Sequence, residues 1–251
     1  MFRFLLGVLF IIGLVIAASS QVPLGYAMKK AGLQESGVAW TQAEGTLWDG
    51  RITGLEINGH EIGDTILELR PLSLLLLAPV YDVQWGGTSS RGSAIARISR
   101  KELYTSDLSA EQNISYIKAL AVPVRAMGGS VRVNGAHIVY DWQGCTSASG
   151  KVSSDVLSLA AEKFGRSFPI LTGDLGCDAG TLTAHLTGTS DKGDVVEIDL
   201  RASQTAMSGL TARVDTKDRE VVALLANSGF ALQDGRWTYS RDTPPSGLDM
   251  P

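Results

Sequence analysis

The segment from Gly144 to Lys151 is the strongest candidate for nucleotide chemistry in the sequence, because a glycine-rich run there ends in a lysine. A phosphate-binding loop places four residues between its glycines and a Ser or Thr after its lysine, where the hydroxyl holds Mg²⁺. Here five residues separate Gly144 from Gly150, and Val152 follows the lysine. The segment therefore lacks the spacing and the hydroxyl that nucleotide binding requires, and we predict no cofactor.

The three histidines, His60, His137 and His185, are the candidates for acid–base or metal chemistry. His60 adjoins a predicted turn, and the other two fall on the polar side of alternating strands. No Gly-x-Ser-x-Gly elbow accompanies them, and no His-x-x-x-His spacing is present. We therefore predict no catalytic residue and no metal ligand. A hydrolase remains an alternative, and it requires a cleft that unites His137 or His185 with a carboxylate and a nucleophile.

The two cysteines, Cys145 and Cys177, have no neighbouring ligands that would complete a metal site. In a reducing cytosol they would be inert thiols, whereas in an exported domain they most simply form one disulfide. The bridge would enclose 31 residues. The chain-entropy model assigns such a bridge roughly 3–4 kcal/mol.

The N-terminal segment has the length and composition of a membrane span. After Arg3 no charged residue occurs before Lys29, and a bilayer core needs roughly 20 helical residues. We predict an anchor from about Phe4 to Leu24 with Arg3 in the cytoplasm, and a helical extension from Leu24 to Leu33. A cleaved signal peptide ending near residues 18–20 is the alternative. Either interpretation exports the rest of the chain.

The exported part is predicted to be mainly antiparallel β structure with one solvated face. Glycine is abundant, at 28 residues, and turn dipeptides at Asn58-Gly59, Asn134-Gly135 and Asp234-Gly235 predict type I′ hairpins. A fourth hairpin is predicted around residues 190–193. The strand at 195–201 alternates apolar and charged residues, as expected for a sheet with one wet face. The net charge of −4 and the absence of a basic patch exclude electrostatic support for a nucleic-acid partner.

Few helices are predicted beyond the N-terminal segment. The best candidate runs from Asp218 to Asn227, with Asp215 or Asp218 as its cap, and apolar spacing also predicts a helix from Ala110 to Leu120. The run Pro71–Leu77 fits either a short helix or a buried strand. A seam near residues 121–123 divides the chain into an N-terminal unit at 1–30, a first β-rich half at 31–122, and a second at 123–251 with a frayed C-terminal tail.

Trp48 and Arg51 are candidate partner-contact residues, because an aromatic residue and a cation stand together in Gly45-Thr-Leu-Trp-Asp-Gly-Arg51. The alternative is an aromatic strand residue ahead of a turn glycine. Trp142-Gln-Gly144 repeats the pattern later in the chain.

Five segments in order make the chain similar to a known family. They are Gly45–Arg51, Leu69-Arg-Pro-Leu-Ser-Leu-Leu75, Trp142-Gln-Gly-Cys145, Leu171-Thr-Gly-Asp-Leu-Gly-Cys177-Asp-Ala-Gly180, and Gly229-Phe230 with Asp234-Gly-Arg-Trp237. With the N-terminal segment before them, they resemble the type II secretion system protein N family, also called general secretory pathway protein N, across nearly the whole chain.

The resemblance implies a single-pass protein of the bacterial inner membrane with a periplasmic domain. It implies a non-enzymatic accessory role in moving folded periplasmic proteins across the outer membrane, with inner-membrane platform subunits or the outer-membrane secretin as partners. The family supplies no catalytic residues to transfer. The other candidate function is a β groove that binds lipids or other hydrophobic ligands, and an apolar concave face running the length of the sheet would favour it.

Overall fold

The computed structural model describes residues 21–76, 78–117, 122–159, 167–168, 170–203 and 208–243. The predicted anchor lies outside these residues except for its last four positions, and most of the predicted frayed tail also lies outside. No helix within the described ranges is long and apolar enough to cross a membrane.

The described residues form a single antiparallel sheet of 15 strands in which neighbours along the chain are, almost throughout, neighbours in the sheet. The strands are β1 Val38–Ala39, β2 Gln42–Gly45, β3 Asp49–Ile57, β4 His60–Leu69, β5 Val80–Gly86, β6 Ser90–Ile98, β7 Glu102–Asn113, β8 Ser130–Asp141, β9 Gly144–Ser154, β10 Leu171–Asp178, β11 Thr181–Thr189, β12 Val195–Ala202, β13 Ser208–Asp215, β14 Ala231–Gln233 and β15 Arg236–Thr243. Their order is β1-β3-β4 and onward through β13, then β15-β14, with β2 also paired to β3. The mainly β antiparallel fold is as predicted.

Three of the four predicted hairpin turns are confirmed. Asn58-Gly59 joins β3 to β4 with φ of 51° and 74°, and Asp234-Gly235 joins β14 to β15 with φ of 49° and 80°, as type I′ turns require. The turn between β11 and β12 is closed by a hydrogen bond from the Gly193 N–H to the Ser190 carbonyl, at 3.0 Å.

The prediction of a turn at Asn134-Gly135 is wrong. Both residues lie inside β8, which pairs with β7 on one side and β9 on the other. Gly135 has φ of 59°, and the register shifts between Asn134 and His137. The positive φ therefore accommodates a β-bulge instead of a chain reversal, because both neighbouring strands continue past this point.

Two other expectations differ from the structure. The predicted helix from Ala110 to Leu120 is wrong over its first part, because Ala110 and Gln112 lie in β7 and pair with both β6 and β8. Only Ile114–Tyr116 forms a short 3-10 helix, and residues 118–120 lie outside the description. Pro71–Leu76 is a 3-10 helix. β7 and β8 pair directly across the predicted seam, and the division into two halves stays a prediction.

The sheet has one apolar and one polar face along its whole length. Side chains of paired Cα partners share a face, and residues two apart on a strand do so as well. The apolar face carries, from β3 to β13, Ile52, Leu67, Leu69, Tyr81, Val83, Trp85, Ala94, Ala96, Leu103, Leu108, Ala136, Ile138, Val152, Leu171, Leu186, Val196, Ile198, Ala212 and Val214. The polar face carries the alternate, mostly charged or hydroxylic residues, so the predicted wet face is confirmed.

At the N-terminal flank, helix Leu24–Lys30 covers the apolar face. Residues 21–23 are not helical, and Pro23 forms an isolated bridge with Thr46. Leu24 and Met28 are buried in one cluster with Ile52 and Leu55. Leu24 is therefore part of the core of the sheet domain, and the anchor before it stays a prediction. The predicted helical extension from Leu24 to Leu33 is shorter than expected: the helix begins after Pro23 and ends at Lys30.

At the C-terminal flank, helix Arg219–Asn227 has the same role. Asp218 caps it, with its Oδ1 accepting from the N–H groups of Glu220 and Val221 at 2.9 and 3.3 Å, as one of the two predicted caps would. Val221 and Leu225 then pack with Leu186, Val196 and Val214 in the largest buried cluster. The chain leaves the helix through Gly229, which has φ of 85°.

The predicted disulfide between Cys145 and Cys177 is present, with Cα atoms 5.6 Å apart. Both side chains belong to the apolar face, and Cys145 forms a buried cluster with Ala136 and Ile138. The bridge links β9 to β10 near the ends where the two strands have stopped pairing directly. It therefore holds the sheet together at a point where the ladder of backbone hydrogen bonds is incomplete.

Candidate functional site

Part of the apolar face, on β5, β6 and the start of β7, contributes no residue to a buried cluster of the described chain. We call it the apolar strip: Tyr81, Val83 and Trp85 of β5, Ala94, Ala96 and Ile98 of β6, and Leu103 of β7. Among the described residues, the three buried clusters contain no residue of β5 or β6. Neither flank helix forms a buried cluster with these strands, and the strip side chains are half-buried or exposed in the part of the chain that the structure describes.

Small side chains in β6 let the larger rings of β5 lie against the sheet. Val83 pairs with Ala94 and Tyr81 with Ala96. Trp85 pairs with Gly92, and a Cβ on Gly92 would collide with the Trp85 indole. Partial burial raises the pKa of the Tyr81 hydroxyl, as a low-polarity environment does for any group that becomes charged on losing its proton. The strip is thus an apolar surface that contains two aromatic side chains, Trp85 and Tyr81.

The polar face of the same strands is a network of ion pairs. Arg91 donates to Glu111, Arg132 reaches both Glu111 and Asp155, and the Asp155 carboxylate also accepts from the Ser130 N–H at 2.7 Å. Hydrogen bonds, first from Arg91, lower the pKa of Glu111. Burial alone would raise the pKa of Asp155, but the bonds from Ser130 and Arg132 outweigh it and lower that pKa. Each carboxylate is therefore held ionised as part of a neutralised pair.

His185 comes closest to the hydrolase alternative. Its Nδ1 lies 2.6 Å from Asp199 Oδ1, and Arg213 contacts the other oxygen of the same carboxylate. Burial alone would raise the pKa of Asp199, but the hydrogen bonds from His185 and Arg213 lower it instead. The triad lies on the open polar face, where the His185 side chain is 58% exposed. A carboxylate neutralised by arginine on an open surface lacks the enclosed setting in which a catalytic dyad acts.

The other chemical candidates are placed apart. His137 pairs with Ser149 on the polar face, and His60 lies at the start of β4. The carboxylate of Asp141 accepts from the N–H groups of Gln143 and Gly144 in the following turn. The segment from Gly144 to Lys151 is an extended part of β9, so it forms no loop around a phosphate. Within the ranges described, no group of three metal-ligating side chains occurs.

Trp48 and Arg51 lie at the start of β3 but differ in exposure. Trp48 is half-buried; its N–H donates to Thr46 Oγ1 at 3.2 Å, and its carbonyl accepts from the Leu69 N–H at 2.8 Å. Arg51 is exposed on the polar face, where its Cα partners are Glu44 and Ile66. Their part in partner contact stays a prediction.

Sequence reasoning gave little weight to Trp142, whose side chain is far more exposed than that of Trp48. It projects from the two-residue turn between β8 and β9 and is 82% exposed. The signal was present in Asp141-Trp-Gln-Gly144, because an Asp followed by a Gly three residues later is typical of a side-chain-stabilised turn. An aromatic residue at the tip of such a turn has no neighbouring strand to cover it.

The sheet is also the part of the chain that comparison with known proteins identifies. A family model described as type II secretion system (T2SS), protein N, matches residues 36–239. The chain belongs to this family. No curated protein and no solved structure matches the chain significantly.

Membership of the protein N family gives the chain a role in type II secretion and implies interaction with other components of that system. The matched range begins just before β1 and ends within β15. The match therefore covers nearly the whole described sheet.

Proposed function

We propose that this protein N is a non-enzymatic accessory subunit that aids export of folded proteins by holding partner subunits of the secretion machinery. The observation that carries the proposal is the match of the family model to the sheet from β1 to β15. The sheet presents long surfaces on both faces, and its described ionisable clusters are neutralised pairs on the open polar side. Extended surfaces of this kind suit binding better than bond-breaking chemistry.

The partners in this proposal are inner-membrane platform subunits or the outer-membrane secretin. The apolar sequence before Gln21 serves as a single inner-membrane anchor with Arg3 in the cytoplasm, and the sheet domain lies in the periplasm. Fusion of alkaline phosphatase after Lys30 should give an active enzyme that sediments with membranes. A soluble product trimmed at its N-terminus would instead establish a cleaved signal peptide.

The experiment that tests the scaffold function compares export in variants of the three histidines with export in variants of the candidate contact residues Trp48 and Arg51. Alanine at His60, His137 and His185, singly and together, should leave export of a secreted hydrolase nearly intact when the variant is the only copy in the cell. A catalytic residue would cost orders of magnitude in rate. If one folded, abundant, membrane-bound histidine variant abolished export, the scaffold function would be wrong.

The contact residues provide the opposite arm of that experiment. Alanine at Trp48 or Arg51 should weaken export, because aromatic and arginine side chains supply most of the free energy of protein interfaces. Arg201, also exposed on the polar face, is a matched control for Arg51, since it pairs with Asp242 at the opposite flank. Arg201→Ala should leave export unchanged.

A specific observation favours a second candidate, the binding of a lipid or another hydrophobic ligand. The apolar face runs the length of the sheet, and the apolar strip in its middle is uncovered among the described residues. An acyl chain gains about 0.8 kcal/mol for each CH₂ that it buries, so a long chain lying across the strip would gain most of its binding free energy from contact with these side chains.

Matched substitutions on the two faces of β6 test this candidate. Ala96→Asn places an amide in the apolar strip, whereas Ser93→Asn places the same amide on the polar face of the same strand. If the strip binds acyl chains, lipid that co-purifies with the protein, measured by mass spectrometry, should fall in the first variant and stay unchanged in the second. Equal lipid content in both variants would remove the candidate.

A further inference from the structure

At one end of the sheet, three large apolar side chains on adjoining strand ends are exposed. With the two cations between them they form what we call the tryptophan rim: Ile98, Arg100, Lys101, Leu103 and Trp142. The three large apolar members, Ile98, Leu103 and Trp142, are 48%, 43% and 82% exposed. Single exposed apolar side chains are ordinary on a protein surface, but a contiguous group marks an interaction site.

The rim is contiguous because its residues lie on adjoining strand ends. Ile98 is the Cα partner of Leu103, and Leu103 is the partner of Tyr140, two residues before Trp142. The Ile98 N–H also donates to the carbonyl of Pro79, just before β5, at 3.0 Å. The β6–β7 turn between Ile98 and Leu103 holds the two exposed cations Arg100 and Lys101.

Trp142 is presented rigidly. The Asp141 carboxylate accepts from the N–H groups of Gln143 at 2.7 Å and Gly144 at 3.1 Å, which fixes the turn on both sides of the indole. Directly after the turn, the Cys145 N–H donates to the Gly180 carbonyl at 2.8 Å, and the disulfide holds the same position. An indole combines an apolar body with an N–H donor, which is why tryptophan concentrates at the boundary between membrane and water.

The N-terminal apolar sequence joins the sheet at this same end. Pro23 bridges to Thr46 just before β3, and the Leu47 N–H donates to the Val22 carbonyl at 3.2 Å. The strand ends of β3, of β6 and β7, and of the β8–β9 turn all lie on one side of the sheet, because the strands alternate in direction. The sequence from residue 4 to residue 20, which leads into Gln21, contains no charged residue.

The charges at the rim also favour a lipid surface. Arg100 and Lys101 are exposed in the turn beyond the strand ends, whereas the carboxylates Glu102 and Asp141 lie within β7 and β8 as Cα partners, and Asp141 accepts from backbone N–H groups. The turn therefore places two cations outside the carboxylates, next to the exposed Ile98 and Leu103. Cations near an anionic membrane each strengthen binding roughly fivefold.

We propose that the tryptophan rim rests on a phospholipid membrane, with Trp142, Ile98 and Leu103 at the level of the headgroups and with Arg100 and Lys101 on anionic headgroups. The proposal goes beyond both candidate functions, since it concerns the orientation of the sheet and not what the sheet holds. In this orientation the strand ends of β6, β7 and β8 that carry the tryptophan rim face the membrane.

Quenching of tryptophan emission by brominated acyl chains tests the proposal. The full chain is reconstituted in vesicles of phosphatidylcholine with phosphatidylglycerol, with and without brominated lipid. The chain has five tryptophans, and each is replaced by Phe in turn. Trp142→Phe should remove more of the lipid-dependent quenching than any of the other four replacements. Unchanged quenching in Trp142→Phe, with circular dichroism like that of the wild type, would overturn the proposal.

A charge arm separates lipid contact from protein contact. Arg100→Gln with Lys101→Gln should reduce the extra quenching of Trp142 that phosphatidylglycerol produces, by roughly fivefold in affinity for each charge. Lys192→Gln with Lys217→Gln, which removes two exposed cations at the opposite end of the sheet, should change nothing. If Trp142 were shielded only when other secretion subunits were added to the vesicles, the rim would be a protein-docking site and the lipid proposal would be wrong.

Discussion

At the two flanks of the sheet, helices Leu24–Lys30 and Arg219–Asn227 cover the apolar face and form buried clusters with it. Between them, β5 and β6 contribute no residue to any cluster of the described chain. The same binary pattern of alternating residues continues through both regions. The comparison shows that alternation decides which side chains share a face, whereas the flank helices bring the side chains that they cover into buried clusters which β5 and β6 do not join.

The middle strands must be held by other interactions. They have long backbone ladders to both neighbours, and the polar face adds the ion pairs that link Arg91, Glu111, Arg132 and Asp155 across β6 to β8. Exposed ion pairs contribute little individually. We infer that the flanks supply most of the stability and that the middle supplies an available surface.

The largest expected effect comes from the C-terminal flank. Leu186 is 2% exposed, and Leu186→Ala should lower the free energy of unfolding by about 2–5 kcal/mol, because it leaves a cavity in a closed cluster. Leu103→Ala, the matched change in the apolar strip, should cost less than about 1 kcal/mol, because much of that side chain is already in water. Denaturant titration of both variants checks the contrast. Equal losses would show that the strip is covered.

Removing the disulfide should have the next largest effect. Cys145→Ser with Cys177→Ser should lower stability by roughly 3 kcal/mol, because the bridge restricts the unfolded chain. Mass spectrometry of unreduced protein should first show the linked peptides. Two alkylatable thiols in freshly isolated protein would contradict the bridge, and stability unaffected by reduction would contradict its structural role.

Loss of the helix cap at the C-terminal flank should be smaller. Asp218→Ala should cost about 1 kcal/mol, because two N–H groups of the first helical turn lose their acceptor. Asp215→Ala is the matched control, since Asp215 lies in β13 and the sequence alone could not choose between the two carboxylates. A larger loss of stability in Asp215→Ala than in Asp218→Ala would show that Asp218 is not the cap.

The smallest expected effect is on the dependence of stability on pH below about 5. The pKa values of Glu111 and Asp155 are lowered in the folded chain, so both carboxylates stabilise it above their unfolded pKa values, near 4. That contribution is lost as the pH falls through the lowered folded values. Between pH 5 and 3, Asp155→Asn should therefore lose less stability than the wild type in thermal unfolding. A wild type and variant with parallel pH profiles would show that the network is not coupled to folding.

The sequence predicted the antiparallel sheet, its wet face and the disulfide, because each depends on local alternation or on a single pair of residues. The sequence also narrowed the helix cap to Asp215 or Asp218, because capping depends on residues next to the helix. Asn134-Gly135 and Ala110–Leu120 were mispredicted because strands on both sides impose pairing that local signals do not contain. The apolar strip and the tryptophan rim depend on which elements pack against β5–β7 and which do not. That is a property of packing, and alternation along one strand cannot show it.

Photocrosslinking in intact cells tests the central claim, that the sheet holds a partner in secretion, on the surface that the second candidate function assigns to lipid. A photoreactive residue is placed at Ala96 in the apolar strip and, as the control, at Ser93 on the polar face of the same strand. The account predicts a crosslink from position 96 to another protein of the type II secretion system, and a weaker product or none from position 93. A crosslink to lipid alone would select the hydrophobic-ligand candidate in its place. Products from position 93 with none from position 96 would contradict the account.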